Sequence, residues 1–211
     1  MYLSPHTTAG LGNLCSKASE GCAKACLYTA GRGAFSNVQR SRVKKTTLFF
    51  KENKLFMETL FNDLNMFNQY CSDNGIQGYV RLNGTSDIDW QKLKHDSSTV
   101  FEKYSNIVFY DYTKDYKRES LYKNYSLTYS RSETTTEKQI KALLKKGLNV
   151  SVVFDKLPST WSSVEVINGD LNDLRPLDKR GIIVGLVAKG LAKKDDSGFV
   201  VNTSRIKTLT V

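Results

Sequence analysis

Three of the four cysteines of the chain fall close together, at Cys15, Cys22 and Cys26. A thiolate is a soft donor that suits iron–sulfur clusters, zinc and copper(I). Cys22 and Cys26 are four residues apart, so one helical turn would place both sulfurs on the same face. Cys15 would return from the preceding loop, where Gly21 allows a tight bend. The spacing predicts a metal site with three thiolate ligands and one position left open.

Three alternatives compete with a cluster. Free cysteines often pack as small apolar side chains, although this segment is rich in Ser, Lys, Glu and Gly. A disulfide framework is typical of small secreted chains, and residues 1–10 lack the basic and apolar regions of a signal peptide. Structural zinc usually takes four protein ligands, often in paired C-x2-C units, and the second pair is missing here. The pattern favours a [4Fe–4S] cluster on three cysteines, and Cys71 is expected to be structural or exposed rather than a fourth ligand.

The elements that must position this site change character along the chain. Residues 1–35 are irregular and form the predicted cysteine cluster loop, with a short helix at 21–30. Residues 36–75 form a helical segment that begins at Ser36 or Asn37, with a break or restart at Asn53 and an apolar stripe from Leu55 to Phe67. Residues 76–192 form a partial βα barrel, and residues 193–211 form a C-terminal tail. Together they are expected to make one domain, 1–211.

After Gly78 short β-branched runs alternate with helices or loops, which favours a parallel sheet. The predicted strands are 78–82, 107–112, 126–130, 150–154, 164–167 and 182–187. The predicted helices between them are 90–104 in part, 117–122 and 136–146. The fold class is therefore α/β, an open or partial (β/α) barrel of about six mostly parallel strands with long helices and an N-terminal cluster loop.

Polar residues lie within or directly after these strands. Ligands collect at the carboxyl ends of parallel strands, so these residues are expected to line a cofactor or substrate pocket. Each has a plainer interpretation as a turn or cap residue. The candidate cofactor-binding residues are Arg81, Asn83, Ser86, Asp87, Asp111, Ser130, Asp155 and Lys189.

The formal net charge of +10 over 211 residues suggests affinity for polyanions. The basic residues come in clusters around 40–45, 114–123, 138–146 and 189–194. Several have helical spacing, so they also fit solvated helix faces, and no nucleic-acid reading motif accompanies them. No apolar run is long enough for a membrane span. Reduced cysteines without a targeting segment favour the cytoplasm.

Four segments resemble those of the phage-encoded "gene product 88" family: Leu3–Gly10, Gly21–Gly33, Val80–Trp90 and Asp178–Gly190. The resemblance implies a phage genome context rather than an activity, and it makes the expected cytoplasm that of a host cell. The cysteine trio followed by βα units also resembles radical S-adenosylmethionine enzymes, which mostly use C-x3-C-x2-C where this chain has C-x6-C-x3-C. That resemblance implies a [4Fe–4S] cluster whose open iron binds S-adenosylmethionine.

The sequence therefore predicts a phage-encoded iron–sulfur protein, ligated by Cys15, Cys22 and Cys26, with an open iron that binds a small molecule. It would be a radical-type or redox enzyme. The alternative is a non-enzymatic module in which a metal stabilises a basic surface that binds nucleic acid or a host protein.

Overall fold

The computed structural model of the protein describes residues 1–205, and six residues of the predicted tail, 206–211, lie outside the described residues. The helices are α1 (Glu20–Lys24), α2 (Ser36–Lys51), α3 (Asn53–Asp73), α4 (Val100–Lys103) and α5 (Glu137–Lys145). The strands are β1 (Tyr79–Val80), β2 (Val108–Thr113), β3 (Tyr125–Ser130), β4 (Asn149–Phe154), β5 (Thr160–Trp161), β6 (Val164–Asn168) and β7 (Ile183–Val187). Short 3₁₀ turns cover Leu27–Thr29, Gly31–Ala34, Trp90–Lys92, Arg175–Leu177, Gly190–Lys194 and Thr203–Arg205.

Within the described residues the strands form a seven-stranded sheet in the order β1-β2-β3-β4-β7-β6-β5. The pairs β1/β2, β3/β4, β4/β7 and β6/β7 are parallel, and β5/β6 is antiparallel. The predicted α/β class with a mostly parallel sheet is confirmed. The sheet is open, so the barrel is not confirmed. The strand number differs from the predicted six because Thr160–Trp161, whose two residues are too few for a periodic pattern, pairs with the start of β6.

The chain divides into two compact units, each described here by itself. The first unit contains residues 1–16, 35–112 and 117–127, and the second contains residues 17–34, 113–116 and the chain from Thr128 on. The first unit therefore holds α2, α3, α4 and β1. The second holds α1, α5 and β4 to β7.

The first unit is built on the apolar face of α3. Phe56, Phe61 and Leu64 are buried, as the apolar stripe predicted, whereas Leu55, at the start of that stripe, is exposed and Met57 is buried instead. The buried residues pack in one core that includes Trp90, which is fully buried. Helix α2 ends at Lys51 and α3 begins at Asn53, which confirms the predicted break near Asn53.

The second unit is built on the central strands of the sheet. Val150, Val152 and Phe154 on β4 and Ile183 on β7 are fully buried. Side chains that point to both faces of these strands are apolar or small, as expected for a parallel sheet that is covered on both sides. Ile140 and Leu143 of α5 pack on this core, which places α5 against the sheet.

Three predicted helices differ from the structure. In place of the helix at 21–30, α1 ends at Lys24 and a separate 3₁₀ turn covers Leu27–Thr29. The stretch 117–122 contains no helix, since side chains from other segments hold its backbone: Gln91 Oε1 accepts a hydrogen bond from the backbone NH of Leu121 (2.7 Å). The stretch 90–104 is a 3₁₀ turn and the four-residue α4, separated by a turn in which Asp96 and Ser97 adopt positive φ. A left-handed residue cannot continue an α-helix.

Among the helices of residues 1–205, none combines the length and the apolar character that crossing a lipid bilayer requires.

Candidate functional site

In the second unit, Cys22 lies in α1, directly after a tightly held turn. Ser19 caps this helix, and its hydroxyl oxygen accepts a hydrogen bond from the backbone NH of Cys22 (3.2 Å). Glu20 stands in the first turn, where a negative charge suits the helix dipole. Cys26 lies outside α1, which ends at Lys24, and directly precedes the 3₁₀ turn Leu27–Thr29. The prediction that one helical turn joins Cys22 and Cys26 on the same helix face is therefore wrong. Both cysteines are half-buried and neither is in a disulfide.

Glu133 anchors this cysteine segment from a distant part of the chain. Its carboxylate accepts hydrogen bonds from the Ser19 hydroxyl (2.6 Å) and from the backbone NH of Gly21 (2.8 Å). Burial raises the pKa of Glu133, but these hydrogen bonds to the ionised form outweigh burial and hold the pKa below its ordinary value. A Cβ on Gly21 would meet the Ser197 hydroxyl and lie 2.9 Å from the Glu133 Cδ, so both side chains would have to move to admit it. The turn before Cys22 is therefore fixed on both sides.

Lys114 lies beside Cys22 and contacts the predicted site residue Ser130. The Lys114 ammonium donates hydrogen bonds to the Ser130 hydroxyl (2.8 Å) and to the Arg131 carbonyl (3.3 Å). Burial raises the pKa of the Cys22 thiol, and the charge of Lys114 and its hydrogen bond to Cys22 oppose that rise. A negative charge on Cys26 would raise the pKa of Cys22 further, which places the two sulfurs within electrostatic reach of each other.

An apolar cluster packs against Cys22. Cys22 packs against the cluster of Ala25, Ala188, Ala192 and Phe199. Gly190 has a φ of +55°, and a Cβ there would lie 3.0 Å from the Ala30 Cβ. The backbone of the segment after β7 thus approaches the segment after Cys26 at a distance that a larger residue would not allow.

The remaining cysteines belong to the first unit. The Cys15 Sγ accepts a hydrogen bond from the backbone NH of His6 (3.4 Å) and donates one to the Thr85 carbonyl (3.6 Å). Cys71 is buried at the end of α3, where a Cβ on Gly78 would lie 3.0 Å from its sulfur. This packing fits the structural role predicted for Cys71. Among residues 1–205, no three His, Cys, Asp or Glu side chains are grouped so that they could hold a metal ion.

Asn83 is the centre of a buried polar network in the first unit. Its side-chain carbonyl accepts hydrogen bonds from the Ser86 hydroxyl (2.8 Å) and from the indole NH of Trp90 (3.1 Å). Its amide donates to Asp111 Oδ2 (3.1 Å), and its backbone NH donates to Asp111 Oδ1 (2.6 Å). The structure thus brings together three of the predicted residues, Asn83, Ser86 and Asp111. Asp111 lies within β2 rather than after it.

Asp111 is the most strongly perturbed acid of this network. It is 1% exposed, and burial raises its pKa to about 7 against the hydrogen bond from Asn83 and the charge of Arg81, which lower it. The Tyr125 hydroxyl donates to Asp111 Oδ2 (3.1 Å), and burial together with Asp111 raises the pKa of Tyr125. A carboxyl group with this pKa can exchange a proton near neutral pH.

Two further predicted residues stand beside this network. The Asp87 carboxylate pairs with the Arg118 guanidinium at 2.8 Å, and both side chains are about nine-tenths buried. The Arg81 Nε donates to the Asn83 carbonyl (3.2 Å), and its guanidinium lies 4.4 Å from the centre of the Tyr112 ring. Arg81 directly follows β1. Its positive charge lies over the face of the Tyr112 ring and close enough to Asp111 to lower the pKa of that carboxyl group.

Asp155 and Lys189 each close a loop of the second unit. Asp155 Oδ1 accepts hydrogen bonds from the backbone NH (2.9 Å) and hydroxyl (2.8 Å) of Thr203. The Lys189 ammonium pairs with Asp170 Oδ1 (2.6 Å), whose other oxygen accepts the backbone NH of Val187 (2.9 Å). These contacts are those of loop caps, the plainer of the two interpretations that the sequence allowed.

Sequence reasoning missed Glu133, Lys114 and Ser19. Glu133 sits in a run of serine and threonine that predicts only a helix start. Its partner Gly21 is 112 residues away. In the sequence, Lys114 stands out only as one member of the basic cluster at 114–123. A local pattern cannot signal either contact, because both arise from tertiary packing.

Comparison with known proteins identifies the family. Neither the curated proteins nor the solved structures compared with the chain include a match. The comparisons give no support to the resemblance to radical S-adenosylmethionine enzymes. A model of the family described as gene product 88 matches residues 1–203. Since this match covers nearly the whole chain, the protein belongs to the gene product 88 family.

Proposed function

We propose that this protein is a phage-encoded iron–sulfur protein whose cluster is held by Cys22, Cys26 and Cys15. The observation that carries the proposal is the pair of reduced, half-buried thiols at Cys22 and Cys26, on one short segment that Glu133 fixes in place. Soft sulfur donors on a rigid turn suit a metal that prefers thiolate. Because the turn is already fixed before the metal binds, metal binding loses less conformational entropy.

Cys15 is proposed as the third ligand from the sequence alone. It lies seven residues before Cys22, which is a short span of chain, and its type matches the two other donors. Its sulfur interacts with the backbone of His6 and Thr85. A hydrogen bond from a backbone NH to a ligand sulfur is one of the ways in which proteins tune cluster potentials.

Three cysteines on a [4Fe–4S] cluster leave one iron open to a small molecule, which makes a radical-type or redox enzyme the finer proposal. S-adenosylmethionine is the candidate small molecule. When bound, a cluster would supply one-electron chemistry. The chain itself supplies Lys114 beside Cys22 and the closed packing of Ala25, Ala188 and Phe199, which keeps water from that side of the sulfur.

The test is anaerobic purification followed by iron and sulfide analysis and visible absorption spectroscopy. A brown protein with iron and sulfide in stoichiometric amounts supports the proposal. A colourless protein that holds stoichiometric zinc, or no metal after anaerobic reconstitution, overturns it. Adding S-adenosylmethionine to the reduced protein should change its electron paramagnetic resonance spectrum, and an unchanged spectrum excludes this ligand at the open iron.

Cysteine variants test the ligand set. Cys22→Ser and Cys26→Ser should each lose the colour and most of the iron. Cys15→Ser should do the same, and full retention of the cluster in that variant would remove Cys15 from the set. Cys71→Ser is the matched control, since it changes a buried cysteine of α3. Loss of iron from Cys71→Ser would contradict the three-ligand assignment.

A further inference from the structure

Helix α2 carries a cleft of about 320 Å³ on the surface of the first unit. The volume is near the lower end of the range for small-molecule sites in proteins. None of the strand-end residues predicted from the sequence contributes to it. Its lining residues are Tyr2, Asn37, Val38, Ser41, Arg42 and Lys45.

The lining residues form a row because of helical spacing. Asn37, Ser41 and Lys45 are each four apart, so an amide, a hydroxyl and an ammonium group follow one another along one face of α2. Val38 and Arg42 form the neighbouring row. Arg42 is 92% buried, and its guanidinium lies 5.1 Å from the centre of the Tyr2 ring. The aromatic face holds the cation in place by a cation–π contact.

The charge of the cleft is entirely positive. Its six lining residues include two cations, Arg42 and Lys45, and no carboxylate. Burial lowers the pKa of Lys45, and the positive charge of Arg42 lowers it further. Both effects disfavour the charged form of Lys45, and the attraction of an anion bound in the cleft would offset them.

We infer that this cleft binds the phosphate group of a small phosphorylated molecule. Four of its six lining residues carry side-chain hydrogen-bond donors: the guanidinium of Arg42, the ammonium of Lys45, the hydroxyl of Ser41 and the amide of Asn37. A carboxylate offers two oxygens, whereas a terminal phosphate offers three and carries more charge, so phosphate matches this donor set better. A concave site also suits a small molecule better than the backbone of a duplex.

The experiment is isothermal titration calorimetry of the full chain with inorganic phosphate, with adenosine monophosphate and with adenosine. We expect phosphate and the nucleotide to bind and adenosine not to bind. If only the nucleotide binds, the ligand extends beyond its phosphate. Equal binding of adenosine and the nucleotide, or binding of neither phosphate nor the nucleotide, would overturn the inference.

Two substitutions on the same helix make the test specific. Lys45→Gln should weaken nucleotide binding about tenfold, the loss expected for one charge-assisted hydrogen bond. Lys44→Gln removes the same charge from an exposed neighbour outside the cleft and should leave the affinity unchanged. An equal loss in both variants would show that binding is only a net-charge effect. Circular dichroism checks that both variants keep the fold.

A titration with DNA distinguishes binding of a small ligand from binding of a nucleic-acid polymer. A short DNA duplex is titrated into the wild-type chain and into Lys45→Gln under the same conditions. Tighter binding of DNA than of the nucleotide, with the loss confined to Lys45→Gln, would overturn the assignment of a small ligand.

Discussion

At the scale of single residues, Asp111 gives the chain a pH-dependent stability. Its pKa in the folded chain is about 7, against an ordinary value near 3.8. Between about pH 4 and about pH 7 the folded chain therefore retains a proton that the unfolded chain has lost. The free energy of unfolding should fall as the pH rises through this window and then level off, since each pKa unit corresponds to about 1.4 kcal/mol.

Asp111→Asn tests this linkage, because asparagine keeps the size of the side chain and cannot ionise. We expect the free energy of unfolding of the variant, measured by denaturant titration from pH 4 to pH 8, to depend less on pH than that of the wild type. Asp63→Asn, an exposed aspartate on α3, should leave the wild-type pH profile unchanged. An identical profile for Asp111→Asn and wild type would contradict the raised pKa.

Gly21 is the second residue whose identity is dictated by its neighbours. A methyl group at this position would meet the Ser197 hydroxyl and the Glu133 carboxyl carbon. Gly21→Ala should therefore displace the Glu133 carboxylate and cost roughly 1–3 kcal/mol of stability, the range for overpacking a filled site. Chemical denaturation measures the loss, and iron analysis shows whether the turn before Cys22 still binds metal.

Gly31→Ala is the control for Gly21→Ala, because it adds the same methyl group where the group meets no other atom. Gly31 has a φ of +52°, and no atom lies within 4 Å of the position of its Cβ. This variant carries only the backbone strain of a left-handed alanine, roughly 1–2 kcal/mol. If it lowers iron content as much as Gly21→Ala does, the contact with Glu133 is not what shapes the cysteine turn.

The residues that could be predicted from the sequence are those whose chemistry is local. The cysteine spacing and the polar residues after β1 stand out by residue type alone, and Asn83, Ser86 and Asp111 do meet. Glu133 could not be predicted, because its function depends on Ser19 and Gly21, which are more than 100 residues away in the chain. Residue type alone does not tell a loop cap from a ligand-binding residue at Asp155 and Lys189, and the contacts with Thr203 and Asp170 are visible only in the folded chain.

At the scale of elements, predictability follows the length of the periodic pattern. Helices α2, α3 and α5 and most strands were predicted to within a few residues, since an apolar stripe or a β-branched run spans each of them. The stretch 117–122 was not, because Arg118 and Leu121 take their conformation from Asp87 and Gln91. Strand β5 has two residues and therefore no period to detect.

Helix α5 allows a direct test of whether residues at its own N-terminus stabilise it. Thr136 and Gln139 form a reciprocal capping box: the Thr136 hydroxyl oxygen accepts from the Gln139 NH (3.3 Å), and Gln139 Oε1 accepts from the Thr136 NH (2.8 Å). Thr136→Ala should lower the free energy of unfolding by about 1 kcal/mol, because a backbone donor loses its partner.

Thr134→Ala is the control for the capping box. Thr134 is exposed and lies two residues before the cap, with its hydroxyl 3.0 Å from the Ser132 hydroxyl. We expect a change within about 0.5 kcal/mol, as for most surface substitutions. A loss equal to that of Thr136→Ala in thermal or denaturant unfolding would show that the box does not hold α5.

At the scale of the whole molecule, the net charge of +10 is distributed over several elements. Exposed basic residues lie on α2 (Arg40, Lys44), before β3 (Lys117, Lys123), on α5 (Lys138, Lys145) and in the turn after β7 (Lys193, Lys194). Charges on separate elements attract polyanions without selecting a sequence. This arrangement favours solvated faces over a dedicated nucleic-acid interface.

We therefore expect weak DNA binding that depends strongly on salt and on no single cluster. Affinity for a fluorescent duplex, measured by anisotropy, should fall about tenfold between about 50 and about 200 mM salt if roughly two phosphates are neutralised. Lys138→Gln with Lys145→Gln, and Lys193→Gln with Lys194→Gln, remove equal charge from different elements, so each pair should weaken binding by a similar small factor. Loss of binding in only one pair would instead reveal a localised interface, which would favour the basic-module function over the iron–sulfur proposal.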